Sequence, residues 1–235
     1  MKPRLVVALD VPDPERAVSL VDQLAPEGVL FKVGYEAFYG YASIIGRALA
    51  RHESQYALDL KLHDIPRTVD AAIRNVVIPG VAIVTVHALG GVEMLRAAVD
   101  ASRERAAELG IAPPEIYAVT VLTSLGAADL SALGLPQSPV DNAIRLASLA
   151  REAKCAGVVC SVREVRSLRD ALGDGLRTFC PGVRPGGAAP GDQKRTMTPR
   201  DAREAGADYV VVGRPIVEDA DPVGATRAIL AELAA

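Results

Sequence analysis

The chain contains no tryptophan, and aromatic residues make up only 4% of its 235 positions. Platforms that stack unpaired bases are built from such rings, so this sparsity argues against a single-strand nucleic-acid binder. A basic face is also lacking: the formal net charge is -3, which supplies neither a phosphate-backbone footprint nor a polybasic membrane signal. Cysteine is rare. Cys155, Cys160 and Cys180 are odd in number and lack metal-type spacing, so they read as buried free thiols in a reducing cytoplasm. His52, His63 and His87 are scattered, and no His/Cys cluster suggests zinc. The chain starts directly on the strand-like Leu5-Val-Val-Ala-Leu9, too short for a signal peptide or a membrane span. No Gly-x-Gly-x-x-Gly follows that strand, and no nicotinamide or flavin fingerprint is visible, so no cofactor is expected.

Lysine is scarce too: there are five, against 21 arginines. Two of the five, Lys32 and Lys61, fall at the ends of apolar strand-like runs, which is not where surface decoration belongs. Lysine can serve as a proton donor because it can lose its proton, whereas arginine effectively cannot.

What is present in quantity is apolar sequence, 50% of residues against 23% charged, enough for a large core. Near-continuous Val/Ile/Leu runs alternate with helix-like segments from end to end. The runs read as strands at about 4–10, 28–33, 56–62, 82–87, 115–121, 157–160, 176–180 and 208–212. Helices are expected at 15–24, 38–51, 67–77, 92–109, 140–154, 163–172, 199–205 and 222–233. In the fourth of these, Val92, Leu95 and Val99 share a face, with Arg96, Asp100 and Arg103 placed toward water. Pro with acidic neighbours opens several helices, as at Asp13-Pro14-Glu15 and Asp221-Pro222. Strands without polar alternation are those covered on both faces. Eight such units predict an α/β fold, a (β/α)8 TIM barrel, as one domain over 1–235. The rival, an open doubly wound sheet, lacks its glycine fingerprint.

Two stretches break the rhythm. Residues 123–137 are expected to hold a short extra helix. Residues 181–198 are rich in Gly and Pro and carry Arg184, Asp192, Gln193, Lys194 and Arg195. Loops of that length inside a compact domain are usually lids or binding loops.

The segment Tyr56-Ala-Leu-Asp59-Leu-Lys61-Leu-His63-Asp64-Ile65-Pro66 starts like a buried strand, yet Asp59 and Lys61 interrupt it. Residues two apart on a strand share a face, so this carboxylate and ammonium stand side by side. Barrel active sites lie at the C-terminal strand ends. Those ends carry Asp10, Lys32, Asp59 and Lys61, then Asp64 in the loop, Thr123 and Ser124, Arg184, and Gly213 with Arg214. A salt-bridge network closing the barrel would account for the charges alone, but four alternating charges near one end are costly to assemble without a function. His63 reads as an outward-facing or packing residue. His87 either lines the pocket or hydrogen-bonds structurally. The run Val210-Val-Val-Gly213-Arg214-Pro-Ile reads as a strand entering a turn whose N–H groups meet a phosphate, with Arg214 as a clamp. An ordinary tight turn with a surface Arg is the plainer reading.

Taken together, these residues carry a specific resemblance. Asp59-Leu-Lys61-Leu-His-Asp64-Ile-Pro resembles the catalytic Asp-x-Lys-x-x-Asp signature of the orotidine 5'-phosphate decarboxylase family. Ala8-Leu-Asp10, Phe31-Lys32-Val-Gly, Val121-Leu-Thr123-Ser, Pro181-Gly-Val-Arg184-Pro-Gly-Gly, Gly191-Asp-Gln193 and Val212-Gly213-Arg214-Pro-Ile match its other sites in order. Arg67 departs from it, since relatives often carry a smaller polar residue before Thr68.

The resemblance implies decarboxylation of orotidine 5'-monophosphate to uridine 5'-monophosphate, the last step of de novo pyrimidine nucleotide synthesis. Lys61 would protonate C6, oriented by Asp59 and Lys32. Asp64 would come from a neighbouring subunit of a homodimer and sit near the substrate carboxylate. Asp10, Lys32 and Thr68 would hold the ribose, and Ile65 would also touch substrate. Thr123 or Ser124 would meet the ring, and Arg184, Gln193, Gly213 and Arg214 the phosphate. No metal or cofactor is implied. Two alternatives stand beside this reading: a Mg²⁺-dependent sugar-phosphate relative using the same Asp-x-Lys-x-x-Asp frame, and a non-catalytic nucleotide-binding barrel.

Overall fold

A computed structural model describes residues 2–135, 138–186 and 197–235. Among these residues, eight parallel strands close on themselves in chain order. They are β1 (Arg4–Ala8), β2 (Leu30–Val33), β3 (Tyr56–Leu62), β4 (Val81–His87), β5 (Glu115–Val119), β6 (Gly157–Val159), β7 (Arg177–Cys180) and β8 (Tyr209–Val212). Around them run α1 (Pro14–Leu24), α2 (Tyr35–Arg51), α3 (Pro66–Val76), α4 (Gly91–Leu109), α5 (Ala127–Ala132), α6 (Pro139–Glu152), α7 (Val162–Leu172), α8 (Pro199–Glu204), α9 (Arg214–Val217) and α10 (Pro222–Ala234). The expected (β/α)8 barrel is the observed fold, and the short helix expected within 123–137 is α5.

Helix starts and faces follow simple local rules. At α1 the Asp13 carboxylate accepts the Glu15 N–H at 3.0 Å and Pro14 occupies the first turn, where its missing N–H costs nothing. Ala17, Leu20, Val21 and Leu24 then recur at helical spacing, and all four are buried. On α4, Leu95 and Val99 are buried while Arg96, Asp100 and Arg103 are exposed, as the periodicity predicts. Gly110, with φ +66°, ends that helix.

The strands alternate between two cores. Leu5, Val7, Phe31 and Val84 point outward and pack under the helices. Val6, Ala8, Leu30, Ala57, Ile83, Tyr117, Val119, Val159, Phe179, Tyr209 and Val211 fill the barrel. The register sets a common interior face: Ala8 lies opposite Lys32, and Lys32 opposite Ala57. One step of two residues above this apolar layer, the interior face turns polar. Above Leu30 is Lys32, above Ala57 is Asp59, and above Ile83 is Thr85.

Several boundaries differ from the sequence expectation. β1 stops at Ala8 rather than Asp10, although Leu9 N–H still donates to the Lys32 carbonyl at 3.0 Å. β5 stops at Val119, and Thr120 N–H continues to the Val159 carbonyl at 3.1 Å. Both chains leave the ladder early, so Asp10 and Val121 sit on the mouth. α2 starts at Tyr35, three residues before its expected start, and is kinked at Tyr41 (φ -155°, ψ 37°). The segment after β8 is a turn of helix, α9, rather than a plain turn, with Pro215 preset for its first turn. Among the described residues no helix is long and apolar enough to cross a membrane.

Candidate active site

The polar layer above the barrel core is a linear array of alternating charge. Lys32 Nζ donates to Asp10 at 3.0 and 3.2 Å and lies 3.4 Å from Asp59 Oδ2. The same Oδ2 meets Lys61 Nζ at 2.9 Å. The side-by-side placement of Asp59 and Lys61 predicted from strand periodicity is therefore observed. The middle of the array is the most buried: the side chain of Lys32 is 8% exposed and Asp59 12%, against 27% for Lys61 and 48% for Asp10 at the two ends.

The array is electrostatically self-consistent. Burial would push the Lys32 ammonium down, yet Asp59 and Asp10 outweigh it and hold its pKa above the usual lysine value. Burial would likewise push the Asp59 carboxyl up, and Lys32 followed by Lys61 holds it below the usual carboxylate value. Both groups stay charged at neutral pH inside a protein wall.

Close packing of the array requires Gly34. A Cβ there would sit 2.8 Å from Asp10 Oδ1 and 2.9 Å from Lys32 Nζ. Behind Asp10, the Tyr41 hydroxyl donates to the Val11 carbonyl and anchors the chain as it leaves the mouth.

A cavity of about 490 Å³ opens over the array. Asp10, Lys32, Asp59 and Lys61 line one side. Thr123 and Ser124 line it from beyond β5, Arg184 from beyond β7, and Gly213, Arg214 and Pro215 from beyond β8. Thr123 is buried, while Ser124 and Arg214 are exposed. Arg184 is fixed at the base of its loop: Val183 bridges to Met197, and Arg184 N–H donates to the Met197 carbonyl at 2.9 Å. Gln193 lies outside the described residues.

Three expected residues do not reach this chain's own cavity. Asp64, Ile65 and Thr68 are exposed and absent from its lining. After β3 the chain turns outward into α3. There the Asp64 carboxylate accepts the Ile65 N–H at 2.7 Å. His63 packs as expected: its ring stacks on His87 at 5.3 Å between centroids. His87 does not line the cavity. Its Nδ1 accepts the Leu89 N–H at 3.4 Å, and burial, then His63 and Lys61, lower its pKa to about 4. Of the two readings left open for His87, the structural one holds.

The sequence reading missed several residues. Thr85 is fully buried beside Asp59, and the signal for it was its place two residues beyond Ile83 on the interior face. Tyr35 places its ring 5.6 Å from Lys61 Nζ and donates its hydroxyl to the Leu60 carbonyl at 2.7 Å. Glu218 also lines the cavity. Cys160 lines it as well, but it is buried, and a hydrogen bond with Cys180 and burial push its thiol well above the usual range. Among the described residues no group of three or more His, Cys, Asp or Glu is placed to hold a metal.

Residues 3–229 match the model of the orotidine 5'-phosphate decarboxylase / HUMPS family. The chain belongs to this family. An orotidine 5'-phosphate decarboxylase of Anaeromyxobacter sp. (strain K) is 48% identical over 235 residues, covering 99% of this chain and all of that one. One from Paramagnetospirillum magneticum is 46% identical over 227 residues and 97% of each chain. Among solved structures, the orotidine 5'-phosphate decarboxylase of Lactobacillus acidophilus superposes with a TM-score of 0.86 at 33% identity, covering 99% of this chain and 100% of that one. Family membership thus spans the whole barrel, including the strand ends that carry the array.

Proposed function

We propose that this barrel, acting as one domain over 1–235, converts orotidine 5'-monophosphate to uridine 5'-monophosphate and carbon dioxide in pyrimidine nucleotide synthesis. The observation that carries the reading is the Asp10–Lys32–Asp59–Lys61 array on the floor of a cavity whose lining also holds Arg184 and Arg214.

The chemical difficulty is a carbanion in the plane of the pyrimidine ring, which the π-system cannot delocalise. A fixed ammonium in a water-poor site is a sufficient answer. The bond from C6 to the carboxylate breaks, its electron pair stays on C6, and carbon dioxide leaves. Lys61 Nζ then gives C6 a proton and recovers one from solvent. Asp59 and Lys32 hold Lys61 in place, and their contacts of 2.9 and 3.4 Å support that role. Asp10 and Lys32 bind ribose hydroxyls, and Thr123 or Ser124 meets the ring. Arg184, Gln193, Gly213 and Arg214 hold the phosphate, whose binding energy helps to close the site around the charge array.

Asp64, Ile65 and Thr68 serve a second copy of the chain in a homodimer. Two observations support this. The three residues are exposed beside, not inside, their own cavity. Tyr35, Tyr39, Ile65 and Leu89 are 47%, 77%, 63% and 47% exposed around the same strand ends, more apolar surface than a free mouth needs. The buried free cysteines fit a reducing cytoplasm.

The reaction proceeds without a metal. Lys32 Nζ already occupies the space between Asp10 and Asp59 where a divalent cation would need to sit. The test is to follow the absorbance of orotidine 5'-monophosphate with enzyme before and after exhaustive EDTA treatment. Equal rates are expected. Loss of turnover on chelation, restored by Mg²⁺, assigns the chain to a sugar-phosphate activity instead. No turnover under any condition assigns it to nucleotide binding alone.

A further inference from the structure

We propose that Thr85 is a positioning residue for the reaction, its single hydroxyl setting both the backbone of Lys61 and the rotation of the Asp59 carboxylate. The inference rests on the reading of Lys61 as proton donor.

The starting point is an irregularity in β3. Leu58 pairs with Val84 and Leu62 with Val86, so the residues between the two pairs outnumber their partners on β4. The surplus is a bulge spanning Asp59, Leu60 and Lys61. Lys61 itself has φ +43°, a left-handed conformation uncommon for a lysine and here inside a strand. Bulges re-aim side chains, and they leave backbone groups without a ladder partner.

Here side chains supply those partners. Lys61 N–H donates to Thr85 Oγ1 at 2.9 Å, and the Leu60 carbonyl accepts the Tyr35 hydroxyl at 2.7 Å. The peptide between Leu60 and Lys61 is thus held from both neighbouring sides of the barrel. Having accepted from Lys61, the Thr85 hydroxyl has one proton to give, and it goes to Asp59 Oδ1 at 2.9 Å. With Oδ1 engaged, Oδ2 is the oxygen turned to Lys61 and Lys32, at 2.9 and 3.4 Å. One buried hydroxyl therefore links the strained backbone of the donor to the orientation of the carboxylate that holds it. Thr85 is 0% exposed, so water cannot replace it.

Thr85→Val keeps the branched shape and removes the hydroxyl, whereas Thr85→Ser keeps the hydroxyl. For Thr85→Val, kcat on orotidine 5'-monophosphate should fall about 10–100-fold with KM within about threefold, the signature of misplaced chemistry rather than lost binding. The acid limb of its kcat profile should move to higher pH, because the Asp59 carboxylate has lost a donor. Thr85→Ser should stay within about threefold of wild type and keep the limb in place. Circular dichroism and uridine 5'-monophosphate binding report folding; if the valine variant does not fold, Thr85→Ala gives the same comparison. Lys61→Ala is run alongside. An inactive Lys61→Ala beside a fully active Thr85→Val overturns the positioning role alone. Equal losses in the Val and Ser variants, with an unmoved acid limb, also overturn it. A fully active Lys61→Ala overturns the reading of Lys61 and the positioning role with it.

Discussion

Replacing Asp59 by Asn tests whether the charge array is a buried, mutually dependent unit. The amide keeps the size of the side chain and can still accept from Thr85, so the change is chiefly one of charge. Asp59 Oδ2 contacts Lys61 at 2.9 Å and Lys32 at 3.4 Å, which places the two ammoniums within about 6 Å of each other. At an effective dielectric near 20, two like charges at about 6 Å repel by roughly 3 kcal/mol. Breaking a buried pair from one side costs about 3–5 kcal/mol. The lower end applies here, because Lys32 retains Asp10 and Lys61 is 27% exposed. A chain of this size loses about 2–4 °C in Tm per kcal/mol, so Asp59→Asn should melt roughly 6–12 °C below wild type at pH 7.

The same variant has a pH signature with a fixed sign. The folded-state pKa of Asp59 is depressed below its ordinary 3.8 by Lys32 and Lys61 against the opposing effect of burial. Its contribution to stability is therefore complete above pH 3.8 and is lost as pH falls through the lower folded-state value. The gap in Tm between wild type and Asp59→Asn should hold from pH 7 to about 4 and shrink below that. Calorimetric scans at one protein concentration, across that pH range, make the measurement. A gap under about 3 °C at pH 7, or one that does not narrow in acid, would refute the buried-array reasoning.

Gly34→Ala drives a methyl to within 2.8 Å of Asp10 and 2.9 Å of Lys32; kcat/KM should fall about 10–100-fold, and a variant with wild-type kinetics would mean the array tolerates displacement. Arg214→Ala should lower kcat/KM for the nucleotide by about 10–100-fold while leaving the unphosphorylated nucleoside nearly unaffected; equal losses on both substrates would place Arg214 in support of the fold. Lys61→Ala and Asp64→Ala should each be nearly inactive alone, yet mixing them under subunit exchange should restore activity. An equal mixture makes half of the dimers hybrid, each with one intact site, so recovery should approach about a quarter of wild type. Demonstrated exchange without recovery would confine Asp64 to its own chain.

The parts of this molecule that were legible from sequence are those set by short-range periodicity. Near-continuous apolar runs marked the eight strands because both faces of each are covered. The two-residue period predicted Asp59 and Lys61 side by side, and the two do pair, although across a bulge rather than along a regular strand. Thr85 obeys the same period above Ile83 but carries no charge, so nothing in composition distinguished it from the threonines that fill barrels. The bulge at Lys61 was invisible because its cause is the mismatch of two strands, not a residue type in one. Tyr35 was hidden in the expected loop before α2, since the kink at Tyr41 disrupts the helical period that would have extended the helix to it. The helical turn at α9 escaped because a run of four residues is too short to show any period. Where Asp64 points depends on how the chain leaves β3, and no local pattern encodes that direction.

The central claim is that Lys61 delivers the proton that replaces the departing carboxylate. The direct measurement is turnover of orotidine 5'-monophosphate in D2O by wild type and by Lys61→Ala, with carbon dioxide quantified and the nucleotide product analysed by NMR. Wild type should release carbon dioxide and uridine 5'-monophosphate in equal amounts, with one deuterium at C6, and a folded Lys61→Ala that still binds nucleotide should release neither. A folded, uncontaminated Lys61→Ala that yields C6-deuterated product at the wild-type rate would contradict it.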